Sequence, residues 1–280
     1  MIFGGHVSIA GGLEKAIGRG EKEGFEVIQT FASSPRSFTV TNYTNDQITA
    51  FNQAMKASRV VKQLFFHGIY LLNLASSKEY LVNLSVKSLV EYLNFGAKIN
   101  CTGTIFHVGS SKEQSFDEVK NQVAQAIKKV LETTPKDQLL IIESAAGAGN
   151  VIGNSLDELA QLFNQVDSTR LKVCLDTQHL WASGVNVADK AIFGNWLKQF
   201  DQQIGIQNLV CMHANDSKTE FNSKRDRHEN IGQGLIGRAG FQNILSQSVL
   251  KNIPFIMEVP GIKGEGPDRE NLKILHNLSL

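Results

Sequence analysis

The sequence predicts a (β/α)8 barrel, and two observations lead to it. Eight short apolar runs rich in Ile, Val, Leu and Phe alternate with eight stretches of helical spacing. His, Asp or Glu side chains then close six successive runs, at intervals of 33 to 45 residues. Near-continuous apolarity, without polar alternation, is what a parallel sheet covered on its outer face requires. An open doubly wound sheet uses the same alternation, but it concentrates its site at one switch point. A closed ring brings every strand end to one rim, so all six polar closures can be used.

The elements follow in order. Ile2–Val7 is the first strand, ending in Gly4–Gly5–His6–Val7–Ser8, and Gly12–Glu23 is the first helix, with apolar residues three and four apart. Glu26–Phe31 and Asp46–Ser58 repeat the unit. Gln63–His67 ends in His67 and is followed by the helix Lys78–Ala97. Gly103–Val108 carries His107 ahead of Ser115–Leu131, and Gln138–Glu143 ends in Glu143 ahead of Leu156–Val166. Leu171–Asp176 ends in Asp176, with His179 three residues on, before Ala188–Ile204. Asn208–His213 ends in His213, and Asp226 and His228 fall in the loop before Ala239–Val249. Pro254–Val259 carries Glu258, and Pro267–Leu278 is the last helix. The length of 280 residues suits this architecture, with a metal site at the C-terminal face of the strands. No linker or composition shift interrupts the repeat, so one domain over residues 1–280 is expected.

His67, His107, Glu143, Asp176, His179, His213, Asp226, His228 and Glu258 are the side chains that hold divalent ions such as zinc. Nine ligands exceed the needs of one ion and suit a cluster of two or three, with a carboxylate bridging; paired ions clamp a phosphoryl displacement and activate water. Each residue has a plainer explanation alone. A strand-end His can be a hydrogen-bonded core residue, Asp176 can cap the following helix, and Glu258 can be half of an ion pair. Their joint placement favours the metals, since five of the seven histidines lie at strand ends or just after them. His276 reads as a surface residue. His6, on the same rim, reads either as support for the ligands or as a structural hydrogen-bonder.

Net charge is +1, so no global basic field announces nucleic acid. The segment Lys218–His228, embedded among the candidate ligands, concentrates Lys218, Lys224, Arg225 and Arg227 and could meet phosphate. Cys101, Cys174 and Cys211 form no CxxC pair and read as buried thiols of a reducing compartment, which makes the cytoplasm the expected location. No run approaches the ~20 residues of a membrane span, and the N-terminus carries no charged leader. Gly232–Gly237 matches GxGxxG, but no βαβ unit accompanies it, so it reads as a tight loop rather than a nucleotide site. Trp181 and Trp196 read as packing residues.

With these residues in hand, the chain resembles the endonuclease IV family of apurinic/apyrimidinic endonucleases nearly end to end. GGHVSIAGGL is similar to its first-strand motif, IESAAGAG to its bridging-glutamate motif and CLDTQHLWASG to its Asp-Thr-x-His motif. MHANDSK and RDRHENIGQGLIG resemble the motifs of its remaining ligands. The resemblance implies three zinc ions in a (β/α)8 barrel. His67, His107 and Glu143 would hold the first. Glu143 would bridge to a second, completed by Asp176, His213 and Glu258, and His179, Asp226 and His228 would hold the third. Glu143 and Glu258 would be the catalytic carboxylates. A hydroxide activated by the cluster would attack the phosphate 5′ to an abasic site in damaged double-stranded DNA and leave a 3′-hydroxyl, and blocked 3′ ends would be trimmed by the same chemistry. The resemblance also implies a flipped-out abasic nucleotide, with Arg36, Tyr70 and Leu71 at the positions that enter the duplex. A monomer is expected, with no membrane partner. The chain departs from the family pattern at Ser144, where Asn or Thr is commoner, at Gly68–Ile69, and at Phe38, where Trp is usual; none is a ligand position.

Two rival readings use the same residues. A divalent-metal sugar isomerase or epimerase of the xylose-isomerase-like barrels would use Glu143, Asp176, His213 and Glu258, yet has no use for His179, Asp226 and His228. A catalytically dead barrel that binds nucleic acid would not need all nine positions intact.

Overall fold

The apolar runs pair side by side in one direction, which leaves both faces of each strand in need of cover. A computed structural model describes residues 1–280. The strands β1 (Phe3–His6), β2 (Val27–Thr30), β3 (Gln63–His67), β4 (Gly103–Phe106), β5 (Leu139–Glu143), β6 (Leu171–Asp176) and β7 (Leu209–His213) join in sequence, and β10 (Phe255–Met257) pairs with both β7 and β1. The result is a closed parallel barrel. Four of its eight pairings step the inward-facing residues forward by two, which gives the shear of 8 of this architecture. A small antiparallel hairpin, β8 (Asp216–Ser217) with β9 (His228–Glu229), stands on the rim.

Helices α1 (Lys15–Glu23), α2 (Asn45–Ala57), α3 (Glu79–Lys98), α4 (Phe116–Glu132) and α5 (Leu156–Val166) follow the first five strands. The short α6 (Thr177–Ser183) precedes α7 (Lys190–Gln203), and α8 (Gly237–Leu245) and α9 (Arg269–Leu278) close the ring. A cluster of 63 buried apolar residues fills the space between strands and helices. Only seven line the inside: Val27, Phe65, Ile105, Ile141, Cys174, Cys211 and Ile256. The barrel interior is therefore a thin apolar floor, and whatever lies above it opens to the rim.

Differences from the expected elements have local causes. The first helix starts at Lys15 rather than Gly12 because Gly11 and Gly12 take φ of 84° and 135°, outside helical space. The last helix starts at Arg269, where Asp268 accepts from the Asn271 backbone as its cap. The seven-residue α6 and the two-residue strands of the hairpin were not expected, being too short to carry a period. Cys101, Cys174 and Cys211 are buried free thiols, as expected, and burial pushes Cys101 up to about 12.

Candidate metal centre

Side chains alternate along a strand, so the residue two beyond an inward-facing apolar one points inward again, nearer the rim. Stepping forward by two from the floor residues Phe65, Ile105, Ile141, Cys174, Cys211 and Ile256 reaches His67, His107, Glu143, Asp176, His213 and Glu258. The same step on β2 leads from Val27 to Gln29, and on β1, from Gly4 to His6. A polar ring therefore sits directly above the apolar floor, with one member from each strand.

Glu143 is at the centre of this ring and completely buried. Its Oε2 lies 3.0 Å from His67 Nε2 and 3.2 Å from His107 Nε2. Its Oε1 lies 2.9 Å from His213 Nδ1 and 3.3 Å from His179 Nδ1. The two oxygens of one carboxylate thus face two different sets of imidazoles, as a bridging ligand must. Glu258 Oε2 approaches His213 Nδ1 at 3.3 Å, and Asp176 Oδ2 lies 3.8 Å from the same nitrogen.

The remaining candidates come from outside the strands. Asp176 Oδ1 accepts from the backbone of Gln178 and His179 and starts α6, which swings His179 over the ring. The cap takes Oδ1 and leaves Oδ2 facing His213 and His228. His228 arrives on β9, and Asp226 Oδ1 and Oδ2 lie 3.2 Å from His228 Nε2 and 3.3 Å from His179 Nε2. Three groups emerge with ligand atoms within 4.8 Å of one another: His67–His107–Glu143, Glu143–Asp176–His213–Glu258, and Asp176–His179–His228. The first two match the expected sets. In the third, Asp176 stands beside the two imidazoles, with Asp226 reaching them from the exposed side.

The donor set fits divalent cations. A ligating imidazole ties one nitrogen to an oxygen and offers the other. His67 Nδ1 donates to Gly68 O at 2.8 Å, His179 Nδ1 donates to Ser144 O at 2.8 Å, and His213 Nε2 donates to Gln29 Oε1 at 2.8 Å. In each case the other nitrogen points at a carboxylate. His179 Nε2 and His228 Nε2 are buried without any hydrogen-bond partner, although Asp226 is close to both. Buried polar atoms without partners are rare, and a cation between them and Asp226 would remove the anomaly.

Electrostatics point the same way. Burial lowers every imidazole here, and His107 and His6 end low, His6 at about 4. In His67 burial is outweighed by the hydrogen bond and charge of Glu143, and in His179 by Asp176, Asp226 and Glu143, so both are raised. Burial would raise Glu143 and Asp226, yet the imidazoles hold both well below the carboxylate range, and Glu258 is held low chiefly by His213. Glu143 and Glu258 stay ionised in a largely buried ring, with Asp226 at its exposed edge, and together they demand positive charge.

A cavity of about 580 Å³ opens above the ring, lined by Phe31, Tyr70, Arg227 and the imidazoles. Tyr70 lines it and is 68% exposed, and the next residue, Leu71, is 43% exposed. The Tyr70 backbone N–H donates to Pro35 O, which sets its loop against exposed Arg36, and its ring meets Phe31 edge-on at 5.4 Å. Lys218, Lys224, Arg225 and Arg227 are all exposed on the hairpin loop beside it. Phe38 packs partly buried against the core.

The glycine motif has an internal ligand. Asp216 accepts from the backbone of Gly232 at 2.9 Å, Gly234 at 3.0 Å, Ile236 at 2.9 Å and Gly237 at 3.2 Å. A carboxylate of the chain itself fills the cradle, so the loop serves the hairpin that carries His228, as the tight-loop reading expected. Trp181 and Trp196 pack on Phe221 and on Phe193 and Phe200, and His276 lies exposed with its ring edge-on to Phe3.

Sequence reasoning missed three residues. Gln29 bonds His213, Glu258 and His6. Asn215 donates to Asp176 Oδ2 at 2.6 Å and accepts from the Glu258 backbone at 2.8 Å. Ser144 accepts from the Asp176 backbone at 3.0 Å. The step of two beyond Val27 was a usable signal for Gln29; nothing local marks the other two.

A family model described as a xylose isomerase-like TIM barrel matches residues 19–278. The probable endonuclease 4 of Aquifex aeolicus is 34% identical over 278 residues, covering 99% of this chain and 97% of that protein. That of Halothermothrix orenii is 35% identical over 276 residues, covering 98% and 99%. Among solved structures, endonuclease IV from Thermus thermophilus aligns with a TM-score of 0.87 at 30% identity, over 99% of this chain and 98% of that one. D-psicose 3-epimerase from Clostridium cellulolyticum aligns at 0.69 with 17% identity, over 100% and 96%, a likeness of fold alone.

Proposed function

The chain belongs to the endonuclease IV family, and from that premise we propose that it is a DNA-repair endonuclease that hydrolyses the phosphodiester 5′ to an abasic site in duplex DNA, leaving a 3′-hydroxyl. The observation that carries this reading is the convergence of three His–carboxylate groups beneath one cavity that exposed Tyr70 lines, with exposed Leu71 next to it in sequence. His67, His107 and Glu143 would hold one zinc, Glu143 with Asp176, His213 and Glu258 a second, and His179, Asp226 and His228 a third. When bound, such ions supply Lewis-acid neutralisation of the phosphate and a lowered pKa for water.

The chain's own part is positioning. Carboxylates held low stay ionised and are poor proton acceptors, so Glu143 and Glu258 would act by holding the cations that neutralise the scissile phosphate. Tyr70, Leu71 and Arg36 would enter the duplex and hold the abasic nucleotide out of the stack. Arg225 and Arg227 would meet backbone phosphates beside the cavity. The same floor would accept a blocked 3′ end, whose phosphodiester presents the same group. One domain of residues 1–280 would act as a monomer. Three buried thiols suit the cytoplasm, and no helix is long and apolar enough to cross a membrane.

The sugar isomerase reading lacks a role for His179, Asp226 and His228, which close over the ring. The deciding experiment is incubation with an end-labelled duplex bearing one tetrahydrofuran abasic analogue, with the protein's zinc counted in parallel. One cut on the 5′ side with a 3′-hydroxyl and three zinc ions per chain is the expected result. A zinc-loaded protein that leaves this duplex intact overturns the assignment.

A further inference from the structure

Each barrel strand places one polar side chain above the apolar floor, and on seven strands it is His, Asp or Glu. The eighth is Gln29, on β2, fully buried. Its amide is completely engaged. Oε1 accepts from His213 Nε2 at 2.8 Å, and Nε2 donates to Glu258 Oε1 at 2.6 Å and to His6 Nδ1 at 3.1 Å. The amide has one workable orientation, because turning it over would set its carbonyl against the Glu258 carboxylate and its NH2 against the His213 N–H.

We propose that Gln29 is a positioning residue of the metal centre, which fixes the tautomer of His213 and the rotation of Glu258 together. Accepting from His213 Nε2 keeps a proton on that nitrogen, so that Nδ1, the nitrogen facing Glu143 and Glu258, is the one a metal would take. Engaging Glu258 Oε1 leaves Oε2 turned toward the same point, 3.3 Å from His213 Nδ1. His6, the ring member on β1, braces the amide from its other side and so supports the ligands at one remove. No other ordinary side chain of this size does both tasks. Leu or Met leaves two buried groups unpaired, and Glu cannot donate to Glu258. The apolar floor is complete without Gln29, so packing does not require an amide here. The inference rests on reading His213 and Glu258 as metal ligands.

The test uses the full chain with Gln29→Leu and Gln29→Met, compared with wild type at a series of buffered free-zinc concentrations. Bound zinc is counted by mass spectrometry, and kcat and KM are measured on the tetrahydrofuran duplex. Wild type is expected to hold three ions throughout the range. The variants are expected to lose one, with an affinity for it weaker by roughly 10–100-fold. Their kcat should fall while KM stays near wild type, and added zinc should restore kcat. A folded variant with wild-type zinc affinity and kcat overturns the proposal and leaves the endonuclease assignment standing. Failure of both variants to fold also overturns it, making the amide a determinant of the barrel. A wild type that holds no zinc overturns both readings.

Discussion

Glu143 has no solvent exposure and four imidazole nitrogens within 3.3 Å of its two oxygens. Removing its charge while keeping its shape should therefore strike two ion sites at once. Glu143→Gln is expected to lower the rate on abasic duplex by more than about 100-fold, beyond what loss of a supporting hydrogen bond alone produces, with an unchanged circular dichroism spectrum. Wild-type cleavage by the folded variant would remove it from the centre. Tyr70 is the opposite kind of residue, exposed and held only by its loop and by Phe31. Tyr70→Ala should lower kcat/KM by about tenfold, as loss of a stacking contact worth about 1–3 kcal/mol implies, while zinc content stays constant. A parallel loss of zinc would mean that Tyr70 supports the floor rather than the substrate.

At the scale of elements, each βα unit divides its work between a site end and a stability end. Helix starts illustrate the second. Thr44 accepts from the Gln47 backbone and Gln47 accepts in return from the Thr44 N–H, a reciprocal cap on α2. Thr44→Ala should cost about 1 kcal/mol, seen as a small drop in Tm with no change in cleavage. On α4 the Ser115 backbone and hydroxyl both donate to Glu118 Oε2, at 2.7 Å each, and hold its carboxyl below the usual range. A group depressed in the folded state adds stability above its unfolded pKa of about 4.3 and loses it as pH falls through the folded value. The stability difference between wild type and Glu118→Gln should accordingly be present at pH 6 and vanish in acid. A pH-independent difference would assign the effect to something other than ionisation.

For the whole molecule, the ring of ionised carboxylates makes metal a matter of stability as well as chemistry. Ions that bind the folded chain and not the unfolded one raise its stability by mass action. Chelation should lower Tm by roughly 5–15 °C, and zinc should restore it; an unchanged melting curve would argue against tightly held ions. With a net charge of only +1, affinity for DNA must come from local charge near the cavity. Arg227→Ala should reduce the slope of log K against log salt by about one phosphate contact. A slope identical to wild type would place Arg227 away from the backbone.

The barrel was legible because its cause is local and repeated: apolar runs at βα spacing, each closed by His, Asp or Glu, leave few other closed arrangements. Six of the nine candidate ligands, His67, His107, Glu143, Asp176, His213 and Glu258, come together because alternation along a strand is a fixed property of extended chains, while His179 and His228 join them from α6 and β9 and Asp226 faces both. Other features had no local signature. The seven residues of α6 are too few for a helical period, and Asp176 nucleates them only because its strand ends where the helix must turn. Asn215 reaches Asp176 across 39 positions of sequence. Gln29 reaches His213 across 184 and Glu258 across 229. Composition and spacing by themselves determined which residues could bind metal and that they would share a rim. Tertiary structure alone decided which nitrogen each imidazole offers, which carboxylate oxygen stays free, and that a neutral glutamine completes the ring. Those choices depend on hydrogen bonds between strands that meet only when the barrel closes.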